Sequence, residues 1–91
     1  MEKHKILLKI STILKKNKIF KIFNLKEIKK INIFEDERID SLKLMRILSE
    51  IERKFELELN MSFFRVKKNQ TIDKISQILS NKIKWIYMHL L

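Results

Sequence analysis

Apolar residues recur at helical spacing in three stretches of the chain, residues 3–16, 41–56 and 71–87. In the second stretch they fall at positions i, i+3, i+4, i+7 and i+11, which is the stripe of a helix with one buried face. The pattern therefore predicts three amphipathic helices, and the apolar positions of KNKIFKIFN allow the first to continue towards Phe23. The expected core-facing residues are Ile6, Leu7, Ile10, Ile13 and Leu14, then Leu44, Ile47, Leu48, Ile51 and Phe55, and finally Ile72, Ile75, Leu79 and Ile83.

The segments between these helices show weaker patterns. Residues 24–40 carry scattered apolar residues and are predicted to form a long connection that is pinned across the helices by those side chains. Residues 63–68, FFRVKK, are predicted to form a short helix capped by Ser62, and Asn69 or Thr71 is expected to start the last helix. The predicted fold is an all-α four-helix bundle with three main helices, one short helix and a long first loop.

The composition supports one helical domain over residues 1–91. Hydrophobic residues make up 45% of the chain, while Gly, Pro and Cys are absent. Without Gly and Pro the usual hairpin turns are missing, and without Cys disulfides and thiol chemistry are excluded. We find no signal-peptide pattern and no apolar run long enough to span a membrane. The sequence therefore predicts a soluble, cytoplasmic monomer without stable membrane insertion.

The positive charge is unevenly distributed. The formal net charge is +10, with +8 in residues 1–30, −2 in residues 31–66 and +4 in residues 67–91. Such an excess is typical of proteins that bind nucleic acid or an anionic membrane, and a small basic nucleic-acid-binding helical protein is one interpretation. Against it, the chain lacks a helix-turn-helix turn with Gly, and its acids lie beside the best helix. We therefore expect no nucleic-acid partner, and a salt-sensitive DNA shift would argue otherwise.

Four acidic residues, Glu35, Asp36, Glu37 and Asp40, gather before Ser41 at the start of the second main helix. Asp-Ser before an apolar helical pattern is a common N-cap signal, so a plain helix start is the simplest interpretation. If Asp40 supplies the cap, the Ser41 hydroxyl is left open for a covalent modification. A helix N-terminus also favours a phosphate group at that place.

The sequence predicts no catalytic set and no metal site. Ser41 has no neighbouring His that would serve as its base, and Asp36 and Asp40 are interpreted as loop charges and caps. His4 and His89 lie far apart without the spacing of metal ligands. The protein is therefore expected to be a substrate of enzymes and not an enzyme.

Three segments in order along the chain carry a recognisable set of features. NIFEDERIDSL places a Phe and acids before Asp-Ser-Leu, DSLKLMRILSEIERKFELEL ends its helix in an acid-rich turn with a Phe, and NQTIDKISQIL restarts a helix. These features resemble the acyl and peptidyl carrier protein family. The resemblance covers residues 31–80, while residues 1–30 match only as an amphipathic helix and a loop. It implies the four-helix carrier-protein bundle.

In that family, the serine of this motif accepts 4′-phosphopantetheine from coenzyme A through a separate Mg²⁺-dependent phosphopantetheinyl transferase. The thiol at the end of the arm then holds cargo as a thioester. By position, the resemblance implies that Ser41 is the attachment residue, flanked by Asp40 and Leu42. One departure is Arg38, which stands where the family has Gly, so Arg38 must take an ordinary backbone conformation or bear strain.

The charge of the second main helix indicates the kind of carrier. Residues 41–56 hold four basic and three acidic residues, whereas the fatty-acid carriers of the family are strongly acidic there. The linker NMSFFRVKKNQT is closer in length to stand-alone carriers, such as the D-alanyl carrier and discrete natural-product carriers. We therefore predict a discrete acyl or aminoacyl carrier that is loaded by an adenylating ligase or acyltransferase and serves downstream biosynthetic enzymes. A carrier of fatty-acid synthesis is the alternative. The expected partner-binding residues are Leu42, Lys43, Met45, Arg46, Ser49 and Arg53.

The C-terminal stretch NKIKWIYMHLL is unusually apolar. The favoured interpretation is that it completes the packing of the last helix across the first. The alternative is an anchor for a partner protein or a membrane surface.

Overall fold

The computed structural model describes residues 2–19 and 24–90. Four α-helices, α1 (Lys3–Lys16), α2 (Leu25–Lys30), α3 (Ser41–Phe55) and α4 (Ile72–Leu90), are joined by connections that include two 3₁₀ turns, Met61–Arg65 and Lys67–Gln70. Within these described residues there is no strand, only an isolated bridge between Asn32 and Thr71. The predicted all-α carrier-type bundle is confirmed.

The core lies between the inner faces of the helices, and α1 packs most extensively against α4. Nearly all residues of the predicted stripes are buried, while Leu44 and Ile83 are partly buried against the core. An amphipathic helix is stabilised mainly by burying its apolar side against the rest of the protein. The 3.6-residue period of the apolar residues therefore identified the core residues correctly. The fully buried centre includes Ile6, Ile10, Leu14, Ile47, Ile51, Ile72, Ile75 and Leu79.

The first helix ends at Lys16 and does not run on towards Phe23. Asn17 caps it, and Lys18 adopts a left-handed conformation with φ of 61°, which turns the chain away from the helix axis. The Ile19 amide then donates to the carbonyl oxygen of Leu14 at 3.0 Å, a typical closing bond of a helix end. The last part of the stretch considered for an extension, residues 20–23, lies outside the described residues.

The predicted long connection over residues 24–40 contains a helix that was not predicted. The Asn24 side chain accepts a hydrogen bond from the Glu27 amide at 2.9 Å and so caps α2. Only Ile28 of this six-residue helix is buried. One buried residue cannot produce a periodic pattern, so the sequence gave no helical signal here. The prediction that apolar residues pin the rest of the loop is confirmed, since Ile31, Ile33 and Ile39 are buried.

The predicted short helix over residues 63–68 is replaced by the two 3₁₀ turns. Asn60, and not Ser62, caps the first turn, because its side chain accepts from the Ser62 amide at 3.0 Å. The side-chain amide of Asn69 donates to the carbonyl oxygen of Phe63, and that of Gln70 donates to the carbonyl oxygen of Phe64. These side-chain bonds replace helical backbone bonds and shorten the segment into separate turns.

The prediction that the C-terminal stretch packs across the first helix is wrong for most of its residues. Trp85, Tyr87, Met88 and Leu90 are all exposed. The buried residues of α4 end at Ser80, and Ile83 beyond them is partly buried against the core. Leu91 lies outside the described residues.

Candidate functional site

The site is built around the N-terminus of α3, where Asp40 forms the cap. Asp40 has an extended backbone, its carboxylate accepts from the Lys43 amide at 2.8 Å, and its carbonyl oxygen accepts from the Leu44 amide at 2.9 Å. The bond from Lys43 satisfies one of the amides that a helix start leaves without partners, and the bond from Leu44 is the first hydrogen bond of the helix itself. Asp40 therefore performs the capping that the sequence assigned to it.

Ser41 is the first residue of α3 and is exposed. Within the described part of the chain its hydroxyl engages no hydrogen bond, because Asp40 supplies the cap. The amides of the first helical residues and the helix dipole give this end a partial positive charge. A phosphodiester on the Ser41 oxygen would extend into solvent beside these amides, so the residues present fit a phosphopantetheine group.

The loop before α3 is fixed by Asn32. Its side-chain oxygen accepts from the amides of Phe34 at 2.9 Å and Glu35 at 3.1 Å, and its amide nitrogen donates to the Gln70 side chain at 3.1 Å. The Ile33 amide also donates to the carbonyl oxygen of Gln70 at 3.1 Å. The loop is thus tied to the segment just before α4. This attachment holds the start of α3 in a defined position relative to the core.

Arg38 stands where the family pattern has Gly, and it carries no left-handed strain. In the described residues only Lys18 and Glu56 have positive φ values. The Asp36 carboxylate accepts three hydrogen bonds from Arg38, from its amide and Nε at 2.9 Å each and from its guanidinium Nη2 at 2.7 Å. The hydrogen-bonded pair of Asp36 and Arg38 closes the turn through a side-chain contact that a Gly at position 38 would lack. The sequence did not predict this pair, although a carboxylate two residues before an arginine is the visible signal.

The same pair shifts the ionisation of both groups. The hydrogen bonds from the Arg38 side chain hold the pKa of Asp36 below its usual value, and those bonds raise the pKa of Arg38. Asp36 therefore stabilises the fold when it is charged. This contribution is complete above the unfolded-state pKa of 3.8 and is lost as the pH falls through the lower folded-state pKa.

We expect Asp36→Asn to lower the free energy of unfolding by about 1 kcal/mol at neutral pH, because the charge-assisted bonds to the half-exposed Arg38 are weakened. The difference between the variant and the natural chain should narrow as the pH falls below 3.8. Urea unfolding over a pH series measures it. Glu37→Gln, at an exposed acid of the same loop, is the matched control and should change little. A difference that stays constant through the acidic range would contradict the assigned role of the pair.

Five of the six residues expected to bind partners lie along one side of α3, and Lys43 lies about 100° around the helix from Leu42. Leu42 and Met45 are 60% and 62% exposed, so both apolar side chains are accessible to a partner. Arg46, Ser49 and Arg53 are exposed as well, and Lys43 is half-buried. A shallow depression of about 190 Å³ is lined by Met45, Arg46, Ser49, Glu50 and Arg53. The structure therefore brings most of this set together on one accessible surface.

A second basic feature was missed by the sequence reasoning. Lys9 and Lys16 of α1 line a groove of about 460 Å³ with Arg53 and Lys54 of α3. Glu50 is the acid within it, with its carboxylate 3.8 Å from the Lys16 Nζ. The sequence pattern gave Lys9 and Lys16 only a place on the polar side of an amphipathic helix. Their position beside α3 results from the packing of the two helices, and no pattern in the sequence predicts it.

The comparison with protein families identifies the class to which this site belongs. The family described as "Phosphopantetheine attachment site" matches residues 18–79, which is more than half of the 91-residue chain. The chain therefore belongs to the phosphopantetheine-attachment family of carrier proteins. Comparisons with curated proteins and with solved structures give no match.

The match confirms the resemblance found in the sequence. Members of this family carry 4′-phosphopantetheine covalently on a serine, and their carrier domains are not themselves catalytic. The matched residues include the whole of α3 and the loop that positions it. Among the described helices, none is long and apolar enough to cross a membrane.

Proposed function

We infer that Ser41 is the serine that carries 4′-phosphopantetheine. The observation that carries this assignment is the exposed Ser41 hydroxyl at the start of α3, which Asp40 leaves without a capping role. Of the exposed serines Ser41, Ser49 and Ser62, only Ser41 begins an α-helix and follows a structured loop. Ser49 lies in the middle of α3, and the Ser62 hydroxyl donates to the Asn60 side chain at 2.7 Å.

The electrostatics of the helix start support a phosphodiester at Ser41. The amides of Ser41 and Leu42 precede the capped Lys43 amide and have no partner within α3. Their N–H groups and the positive end of the helix dipole favour a negative group that is attached at this place. The ester bond to phosphorus forms at the Ser41 oxygen as the pyrophosphate bond of coenzyme A breaks, 3′,5′-adenosine bisphosphate leaves and the serine hydroxyl gives up its proton, with a separate transferase supplying the catalysis.

The arm supplies the reactive group that the chain lacks. The sequence contains no Cys, so a thioester on this protein requires the thiol at the end of the phosphopantetheine arm. Leu42 and Met45 are exposed next to the attachment residue, and they give partner enzymes apolar contacts close to the arm. The protein thus acts as a mobile holder of an activated acyl or aminoacyl group, and the enzymes that load and use the group bind in turn.

The charge of α3 favours a dedicated partner over the enzymes of fatty-acid synthesis. Arg46 and Arg53 lie on the side of α3 that carries Leu42 and Met45, Lys43 lies about 100° around the helix from Leu42, and Lys54 follows Arg53. A partner whose docking surface is basic would be repelled by these side chains, whereas an acidic surface would be attracted. We therefore assign the protein as a discrete acyl or aminoacyl carrier that works with an adenylating ligase of acidic docking surface.

Loading experiments test this assignment. The chain is first converted with coenzyme A, Mg²⁺ and a broad-specificity transferase, and its intact mass is checked for one added arm. It is then incubated with ATP and a panel of adenylating ligases for amino acids and for carboxylic acids. We expect one ligase class to form a thioester. The paired reversal Lys43→Glu with Arg46→Glu should lower the kcat/KM of that loading by about ten-fold or more.

The matched control for this reversal is Lys29→Glu with Lys30→Glu, which changes two exposed lysines of α2 by the same charge. That control should leave the loading rate close to its original value. Two outcomes would argue for the fatty-acid alternative. The first is a phosphopantetheine-bearing protein that accepts cargo only from the acyltransferase of fatty-acid synthesis. The second is faster loading after the charges of Lys43 and Arg46 are reversed.

A further inference from the structure

The last turns of α4 expose a group of large apolar side chains, Trp85, Tyr87, Met88 and Leu90, here called the apolar tip. Each is between 60% and 76% exposed. His89 stacks on Trp85, with ring centroids 4.1 Å apart, and its Nδ1 lies 2.8 Å from the Trp85 carbonyl oxygen. The tip is therefore an ordered part of α4. Its exposed apolar side chains belong neither to the core nor to the site around Ser41.

The apolar side chains surround the helix instead of forming one stripe. Trp85 and Met88 are three residues apart and share one side, while Tyr87 and Leu90 share the roughly opposite side. A protein partner that covers one face of a helix would leave the other pair in water. The interfacial region of a lipid bilayer contacts an inserted helix end on every side, and Trp and Tyr are enriched in that region.

Positive charge accompanies the tip. No acidic residue follows Asp73 in the sequence, whereas Lys74, Lys82 and Lys84 do. Lys84 is exposed directly before Trp85, while Lys54 and the acid Glu56 both line the groove of about 420 Å³ that contains Tyr87 and Leu90, so the positive charge of the tip rests on Lys84, Lys82 and the overall charge of +10. Lysines behind an apolar end fit negatively charged lipid headgroups. A second copy of this chain is disfavoured as the occupant by a net charge of +10 on each molecule.

The dimensions fit insertion into one leaflet. Residues 84–90 follow the partly buried Ile83 and cover roughly 10 Å of helix at 1.5 Å per residue, and the side that carries Tyr87 and Leu90 faces the end of α3 across the groove. Interfacial helices enter the headgroup and acyl boundary to a depth of about 5–10 Å. No helix in the described part of the chain is long and apolar enough to cross a membrane.

The tip and the attachment residue lie at opposite ends of α3. The groove beside the tip is lined by Phe55, the last residue of α3, whereas Ser41 is its first residue. Fifteen helical residues separate these ends by roughly 20 Å. An arm on Ser41 therefore stays accessible to partner enzymes while the tip is inserted.

We propose that the apolar tip and its neighbouring lysines bind the protein reversibly to membrane surfaces that contain anionic lipids. The tip supplies apolar insertion, and Lys84 contacts the headgroups. The proposal does not depend on the modification of Ser41, because its residues and its contacts are separate from that site.

Vesicle binding tests the proposal with a built-in reporter, since Trp85 is the only tryptophan of the chain. The full chain is mixed with vesicles of phosphatidylcholine and phosphatidylglycerol, and with vesicles of phosphatidylcholine alone. We expect co-sedimentation and a blue shift of Trp85 emission with the anionic vesicles, and much weaker binding to the neutral ones. Met88→Ser with Leu90→Ser should lower the partition coefficient by about ten-fold or more while Trp85 is retained.

The matched control removes the same residue types elsewhere, as Met61→Ser with Leu8→Ser, both at exposed positions. It should bind as the natural chain does, and so should Ser41→Ala, which separates this test from the attachment site. Lys84→Glu should weaken binding more than Lys68→Glu, at an exposed lysine far from the tip in sequence. Far-ultraviolet circular dichroism checks that each variant is folded.

Three results would overturn the proposal. The first is the absence of binding to anionic vesicles at low salt, and the second is equal loss of binding in the tip variant and its control. The third is a blue shift of Trp85 without vesicles that grows with protein concentration and is accompanied by a larger particle mass. That last result would assign the tip to a contact between copies of the chain.

Discussion

Ser41→Ala is expected to abolish the addition of phosphopantetheine. When the natural chain is incubated with coenzyme A, Mg²⁺ and a broad-specificity transferase, its intact mass should increase by one arm, and the variant should show no increase. The reason is the loss of the single oxygen to which the phosphorus would be joined. The fold should survive, because Asp40 supplies the helix cap and Ala is the best helix-forming residue.

The control for this experiment is Ser49→Ala, which removes an exposed hydroxyl from the same helix. It should still gain one arm at the end of the reaction. An arm that is added to Ser41→Ala would place the attachment at another serine. A natural chain that gains no arm with several transferases would indicate a carrier that is no longer modified, and would contradict the proposed function.

The second large effect concerns the core. Ile75 is fully buried in α4 within the cluster that joins α4 to α1. We expect Ile75→Ala to lower the free energy of unfolding by about 3 kcal/mol, because it removes buried methyl groups and leaves a cavity. For a domain of this size such a loss lowers the Tm by roughly 10 °C or more. Urea and thermal unfolding monitored by circular dichroism measure both quantities.

Leu8→Ala serves as the comparison, since Leu8 is 46% exposed on the outer side of α1. Leu8→Ala should lower the free energy of unfolding by less than about 1 kcal/mol, because little buried side-chain surface is removed. Similar losses in the two variants, or a loss below about 1 kcal/mol for Ile75→Ala, would show that the face of α4 carrying Ile75 is not the packed one. The slope of unfolding free energy against urea should stay unchanged, as expected when only stability changes.

The family membership and the all-α fold both agree with the predictions made from local sequence patterns. The stripe from Leu44 to Phe55 marks α3 because a helix repeats its buried face every 3.6 residues. The Asp40 cap was equally visible, since a capping carboxylate acts on an amide only three residues later. Both signals arise between residues that are close in sequence. Reading them needs no knowledge of what lies elsewhere in the chain.

The incorrect predictions concern segments that are short or whose conformation depends on contacts with residues elsewhere in the chain. α2 has one buried residue and therefore no period, and the turns after Asn60 are set by side chains that bond to backbone carbonyls. The C-terminal stretch was expected to be covered, yet the buried residues of α4 end at Ser80. The conformation of Arg38 was left open by the sequence, and its bonds to Asp36 show how an ordinary backbone serves there.

The sequence by itself determined the helical class, the three buried stripes, the capped helix start and the resemblance to carrier proteins. It did so because helical periodicity and capping act over a few residues. Only the tertiary structure decided that Lys9 and Lys16 line a groove with α3, that Asn32 ties the loop to Gln70, and that α4 leaves the apolar tip exposed. Those features depend on which helix surfaces meet and where their packing ends. Such relations are set by the lengths and faces of whole helices in contact.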